Sequence, residues 1–372
     1  MNSKKRIFFI AGEVSGDLHG ANLMCAWNKQ SNNFIFKGWG GDRMEAEGML
    51  LLKHVRSLSF MGFLEVLMNL RTILGNIKTC KKEIKEFQPD ALVLIDFPGF
   101  NLRIASWAKE QGIPVIYYIS PQIWAWKASR VHAIKRDVTQ LYCILPFEKS
   151  FYETYDYPVK YLGHPLLDEV MKFKEETHPP LTLLSDRKIL ALLPGSRAQE
   201  VKRKLPNMIA AAKSFPDYEI VVACSTNLSI DFYKNLVTDD TQLVFGQTYS
   251  ILEKANLALV TSGTATLETA LFEVPQVVCY ATSPVSFRIA KLLVKIKFIS
   301  LVNLILDQEL VKELIQGDCT SENMVHYLKK LEEGTPDRSR LLSNYKILIK
   351  SLGNQGASDR VAADILETFF VK

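Results

Sequence analysis

One pattern recurs along this chain and constrains its fold more than any other feature. Short, continuous apolar runs, rich in Ile, Val, Leu and aromatic residues, close on Gly, Pro or Asp and give way to helix-period stretches. Residues 7–11 run into Gly12, 91–95 into Asp96, 189–193 into Pro194-Gly195, and 257–260 lead to Ser262-Gly263. Such runs are too short for helices and lack polar alternation, so they read as parallel strands buried on both faces. Residues 34–37, 115–119, 141–145, 159–162, 219–223, 242–245 and 276–280 extend the set. Strands alternating with helices make βαβ units, which excludes a helical bundle or a β-sandwich. The series stops in the polar stretch 172–187, which contains Pro179-Pro180, and then restarts. From about Ser321 the pattern is helical to the end. The expected fold class is α/β, with two Rossmann-like, doubly wound domains and a cleft between them. The expected limits are 1–170 and 171–350, with a C-terminal helix over 351–372 packing back on the N-terminal domain.

A length of 372 residues suits two such domains. The net charge of +5 is too mild to argue for nucleic acid, and none is expected as a partner. The six cysteines lie far apart with no CxxC pair, so a structural zinc site is not expected, and Cys143, Cys224 and Cys279 read as buried thiols. The apolar run after the basic start is too short for a signal peptide. No apolar run approaches the roughly 20 residues of a membrane-spanning helix, so a membrane contact would be peripheral.

In the second half, Ser262-Gly263-Thr264-Ala265-Thr266-Leu267-Glu268 follows a strand and opens a helix. First-turn N–H groups there favour a phosphate, and Glu268, a turn further on, can accept two ribose hydroxyls. A plain cap by Thr264, with Glu268 complementing the dipole, fits equally. Pro194-Gly195-Ser196-Arg197 repeats the device: Ser196 can cap, and Arg197 can fork onto a pyrophosphate. Two such loops on one sheet point to a nucleotide diphosphate. Neither GxGxxG nor GxxxxGK[ST] is present, against NAD and a P-loop ATPase. Asn303 is a further candidate for phosphate or sugar, with a turn or cap role as the alternative.

In the first half, Asp96 ends a strand in the loop Asp96-Phe97-Pro98-Gly99-Phe100-Asn101, a position suited to a general base or to a turn. Ser15, Gly16, Asp17 and His19 lie in the first βα loop and can line an acceptor pocket or cap the next helix. Gln122, with Lys127 and the aromatics around it, can contact a sugar, while Trp124 and Trp126 read as core. Phe60, Met61, Phe63, Leu64, Leu67 and Met68 form an apolar stretch that reads as a membrane contact. Arg288, Lys291 and Lys295 fall on one face of an expected basic amphipathic helix within 287–306, which would meet anionic headgroups or a phosphorylated acceptor. A solvated lysine face is the alternative.

The ordered segments GEVSGDLHG (12–20), GWGGDRMEAEG (38–48), SFMGFLEVL (59–67), DFPGFN (96–101), YYISPQIWAWK (117–127), YLGHPLLDEV (161–170), LLPGSRAQEV (192–201), TSGTATLE (261–268) and ISLVNLILDQELVKELIQ (299–316) resemble the lipid-A-disaccharide synthases, inverting glycosyltransferases of family 19 from Gram-negative bacteria. The resemblance implies a GT-B fold, UDP-2,3-diacylglucosamine as donor, 2,3-diacylglucosamine 1-phosphate (lipid X) as acceptor, and UDP as a product. It implies Asp96 as the base acting on the acceptor 6-hydroxyl. Arg197, Asn303 and Ser262–Thr264 would manage the leaving diphosphate without a metal or cofactor, Glu268 would hold the ribose, and backbone near 245–247 would read uracil. Inner-membrane phospholipids, a seat on the cytoplasmic face and a homodimer are implied as well. Gly99 departs from the Glu or Ala of many members, outside Asp96. Rival readings are a peptidoglycan N-acetylglucosaminyltransferase, whose GGTGGH loop is replaced here by GEVSGD, a UDP-N-acetylglucosamine 2-epimerase, and a non-catalytic binder of nucleotide sugar or lipid.

Overall fold

A computed structural model describes residues 4–58, 70–238, 240–294 and 296–370. The chain divides into two compact units, Met1–Pro165 with Asn354–Lys372, and Leu166–Gly353. Each is built on its own parallel sheet.

The first unit carries seven strands: β1 (Lys5–Ala11), β2 (Phe34–Gly40), β3 (Leu50–His54), β4 (Ala91–Ile95), β5 (Val115–Tyr118), β6 (Gln140–Cys143) and β7 (Lys160–Tyr161). Their order is β3-β2-β1-β4-β5-β6-β7, so the winding reverses between β1 and β4. These two strands pair in register from Ile7↔Ala91 to Ala11↔Ile95, which sets the loops after Ala11 and Ile95 side by side. Both strands are buried almost throughout, which explains their unbroken apolar sequences. One face of the sheet is covered by the helix Val14–Gln30 and the C-terminal helix Ala357–Phe369. Trp27 packs against Phe34, Phe36 and Phe370. The terminal helix is also tied down by polar contacts. Asp364 accepts from Tyr142 at 2.5 Å and from Lys160 at 2.7 Å, and Arg360 Nε donates to the Leu162 carbonyl at 2.9 Å.

The second unit carries six strands: β8 (Lys188–Leu193), β9 (Tyr218–Cys224), β10 (Thr241–Phe245), β11 (Ala255–Thr261), β12 (Gln276–Tyr280) and β13 (Lys312–Ile315). The order β10-β9-β8-β11-β12-β13 again reverses beside the first strand, between β8 and β11. Helices Ala198–Ala212 and Thr264–Leu271 follow β8 and β11.

Two strands were not expected, and two expectations are corrected. β3 and β13 are strands that the apolar-run pattern did not mark, because their residues are mostly half-buried and interrupted by Lys or Glu. The expected basic helix over 287–306 is two helices, Pro284–Leu293 and Leu301–Leu306, because Val294 turns to extended backbone (φ −92°, ψ 126°). Lys295 lies outside the described residues. Trp126 is not core: it is 42% exposed, with Lys127 and Arg130 over its ring. Phe60, Met61, Phe63, Leu64, Leu67 and Met68 also lie outside the described residues.

Candidate active site

The catalytic candidate in the first unit sits where β1 and β4 end together. Asp96 and Phe97 both adopt left-handed backbone (φ 43° and 49°), turning the chain sharply from β4 into the helix Pro98–Glu110. Buried Asn101 secures this turn. Its Nδ2 donates to the carbonyls of Ile95 at 3.2 Å and Asp96 at 2.8 Å. The Tyr117 hydroxyl donates to the Asp96 carbonyl at 2.5 Å. The backbone is thus fixed while the half-buried carboxyl stays clear of the ladder. Across the switch point, Gly12 has no room for a side chain: a Cβ there would lie 2.3 Å from the Phe97 ring. Glycine at 12 lets the two loops close on each other.

The Asp96 carboxyl is raised to about 7, chiefly by burial and then by the negative charge of Glu13 on the neighbouring loop, with the Phe97 backbone hydrogen bond pulling it down. A carboxylate poised near neutrality is matched to general-base work. Glu13 is a neighbour of Asp96 that motif reading did not single out. It became visible once β1 and β4 were known to be neighbours.

The other first-unit candidates divide. Asp17 is buried, and its carboxylate accepts from the backbone N–H of Gly41 (2.7 Å), Arg43 (3.2 Å) and Met44 (3.1 Å). It holds the start of the helix Asp42–Ala46 and does not line an acceptor pocket. Gly16 packs against Ala11 and Ile95, and His19 is buried. Ser15 is exposed in the first turn of Val14–Gln30, and Gln122 is exposed before the short helix Ile123–Trp126. Trp124 donates to the buried Glu148 at 3.1 Å, a contact internal to this unit.

In the second unit, β8 and β11 bring their two loops together. Gly195 has φ +108°, and a Cβ there would meet Glu200 Oε2 at 2.7 Å and Thr261 Cγ2 at 3.4 Å. Ser196 and Arg197 are exposed at the start of Ala198–Ala212, and Arg197 Nη1 donates to Glu200 Oε1 at 2.9 Å. Beneath them, buried Lys204 donates to Thr261 Oγ1, pinning the end of β11. Gly263 and Thr264 are exposed at the N-terminus of Thr264–Leu271. Ser262 Oγ donates to the Ile299 carbonyl at 2.7 Å and so ties in the 299 loop. Glu268 lies one turn into that helix and accepts from the Tyr249 hydroxyl at 3.2 Å. Burial raises its carboxyl to about 7, with Glu169 adding to the rise and the Tyr249 bond lowering it. The pairing of N–H-rich helix starts with an arginine, at a switch point, suits a diphosphate.

Asn303 is not part of that surface. It is fully buried, and both ends of its amide are engaged. Nδ2 donates to the Val311 carbonyl and Glu313 Oε1, while Oδ1 accepts from the N–H of Leu310 and Val311, all within 2.8–2.9 Å. It is a clamp on the chain entering β13.

Two Rossmann-like units, each with its polar loops at the strand C-termini, define the GT-B type of two-domain fold. The crystal structure of UDP-GlcNAc 2-epimerase from Neisseria meningitidis bound to UDP-GlcNAc superposes with a TM-score of 0.69 at 13% identity, over 98% of this chain and 100% of that one. The calicheamicin glycosyltransferase CalG4 superposes with a TM-score of 0.61 at 15% identity over all of both chains. Likeness at such identity speaks for the fold alone. The sequence narrows it. The family model "Lipid-A-disaccharide synthetase" matches residues 7–362. Curated lipid-A-disaccharide synthases are 37% identical in Myxococcus xanthus (99% of this chain, 98% of the relative) and 38% identical in Syntrophus aciditrophicus (97% of each). That of Coxiella burnetii is 34% identical over 99% of this chain and all of the relative. The chain belongs to the lipid-A-disaccharide synthase family.

Proposed function

We propose that the protein transfers 2,3-diacylglucosamine from UDP-2,3-diacylglucosamine to the 6-hydroxyl of 2,3-diacylglucosamine 1-phosphate (lipid X), with inversion at the anomeric carbon. Asp96 takes the proton of the acceptor hydroxyl as its oxygen attacks C1 from the face opposite UDP. The C1–O bond to the diphosphate breaks, and its electron pair leaves with UDP. Arg197 and the N–H groups at the start of Thr264–Leu271 meet that growing charge, and Glu268 takes the ribose hydroxyls. The observation that carries this reading is the half-buried Asp96, held by its backbone at the switch point with its carboxyl raised to about 7.

The same reading gives the protein lipid substrates at both positions, a peripheral seat on the cytoplasmic face of the inner membrane, and a homodimeric state. None of the described helices is long and apolar enough to cross a membrane. The test is a turnover assay with both lipid substrates and excess EDTA, read by mass spectrometry. Disaccharide 1-phosphate formed by the unaltered protein and lost in Asp96→Ala supports the proposal. UDP binding without turnover would assign the chain to a binding role.

A further inference from the structure

The helix Pro284–Leu293 is built to stand on its own and faces the wrong way for a core helix. Its start is encoded locally: Ser283 Oγ accepts from the Ser286 N–H at 3.1 Å, and Pro284 occupies the first turn. No residue of the helix is buried. At 100° per residue, Val285, Ile289, Leu292 and Leu293 share one face. They are 68%, 40%, 83% and 51% exposed. The opposite side carries Phe287 and Ala290, which are half-buried and meet the protein. The apolar stripe therefore points outward. Single exposed apolar residues are ordinary, but four on one face of a ten-residue helix mark a contact surface.

Charge identifies what covers it. The charged residues of this helix are Arg288 and Lys291, both cationic: Arg288 flanks the stripe beside Leu292, and Lys291 lies on the far side next to Phe287. Phe287 and Arg288 also line an open cavity of about 420 Å³ together with Arg203, Thr282 and Gln316. No carboxylate is among its lining residues. Two guanidiniums without an acid, next to an outward apolar stripe, match a phosphate headgroup above acyl chains. The cavity lies just beyond the C-terminal ends of β12 and β13, the same end of the sheet at which the Arg197 and Ser262 loops follow β8 and β11.

We propose that Pro284–Leu293 is a membrane-docking helix. It lays Val285, Ile289, Leu292 and Leu293 into an anionic phospholipid surface while Arg288 and Arg203 take headgroup phosphates and Lys291 adds positive charge to the helix. This contact belongs to the second unit. The proposal rests on the peripheral seat proposed above, and because docking needs no substrate its failure leaves the transfer reaction itself standing.

The experiment is vesicle co-sedimentation of the full chain without substrates. Vesicles of phosphatidylcholine alone are compared with vesicles containing 30% phosphatidylglycerol. Ile289→Ser/Leu292→Ser is expected to weaken binding to the anionic vesicles by about tenfold or more. Arg288→Gln/Lys291→Gln is expected to weaken it by about tenfold or more, with little change on phosphatidylcholine. Both pairs are exposed, so thermal transitions and UDP binding should match the unaltered protein. Binding within twofold of the unaltered protein for both pairs would overturn the proposal. So would a shift of the Ile289→Ser/Leu292→Ser protein to a smaller species with vesicle binding unchanged, which would assign the stripe to a second copy of this chain.

Discussion

Glu13 and Asp96 come from loops that follow neighbouring strands, and the charge of the first raises the carboxyl of the second. β1 and β4 pair up to Ala11↔Ile95, so the next residues of both strands share one end of the sheet. A base that must be ionised to act gains activity as pH rises through its pKa. The acid limb of kcat/KM should therefore have its midpoint near 7, the value to which Asp96 is raised. Glu13→Gln removes one cause of that rise, so the limb should move to lower pH. A limb that stays in place would show that Glu13 does not tune Asp96.

Gly12 governs the same loop by its size. In Gly12→Ala the new methyl would sit against the Phe97 ring, 2.3 Å from its nearest atom, and must push the Asp96–Phe97 turn aside. Misplacement of a base by about an ångström costs about 100-fold. We expect kcat to fall by roughly that factor with UDP affinity unchanged, since UDP is assigned to the other unit. Calorimetric UDP binding beside steady-state kinetics checks this, and unaltered kcat would contradict it.

Asn303 should behave as a structural residue. Asn303→Ala leaves the N–H and the carbonyl of buried Val311 without their side-chain partner and takes one of two acceptors from the Leu310 N–H. Unsatisfied buried groups of this kind cost about 1–3 kcal/mol each. Thermal melts should show a clear loss, larger than that of the exposed Ser196→Ala. An unchanged melt with lost UDP binding would return Asn303 to the ligand surface.

The raised carboxyls also set the pH dependence of stability. Asp96, Glu148 and Glu268 are each raised to about 7, in every case chiefly by burial. Between the ordinary carboxyl range and about 7 the folded state binds more protons than the unfolded one. Their contribution is therefore present at low pH and is lost as pH rises to about 7. At pH 8 an ionised Asp96 is unfavourable to folding, and Asp96→Asn should raise the melting temperature. About 1 kcal/mol would appear as roughly 2–4 °C. The gain should vanish near pH 4, and a variant destabilised at pH 8 would contradict this account.

Strands buried on both faces were legible because burial leaves no polar alternation. β4 (Ala91–Ile95) and β12 (Gln276–Tyr280) coincide with their apolar runs. β3 and β13 were not, since half-buried strands at or near sheet edges keep Lys and Glu. The place of Asp96 at the turn after β4 was legible because a carboxylate after a buried strand, close before Pro-Gly, is a local signal. The engagement of Asp17 with Gly41, Arg43 and Met44 was not, because those partners lie 24 to 27 residues away. Asn303 sits nearer its partners, but its clamp depends on the return of the chain into β13, which propensity does not mark. The break at Val294 has no Gly or Pro to announce it, so the basic helix seemed longer than it is.

The central claim is that Asp96 removes the acceptor proton. The most direct measurement is the turnover of Asp96→Asn against the unaltered protein at pH 8, with both substrates saturating and melting temperatures recorded on the same samples. The account predicts a loss of about 100- to 10,000-fold in turnover from a variant at least as stable as the original. Turnover within about threefold of the original would contradict it and place the base elsewhere.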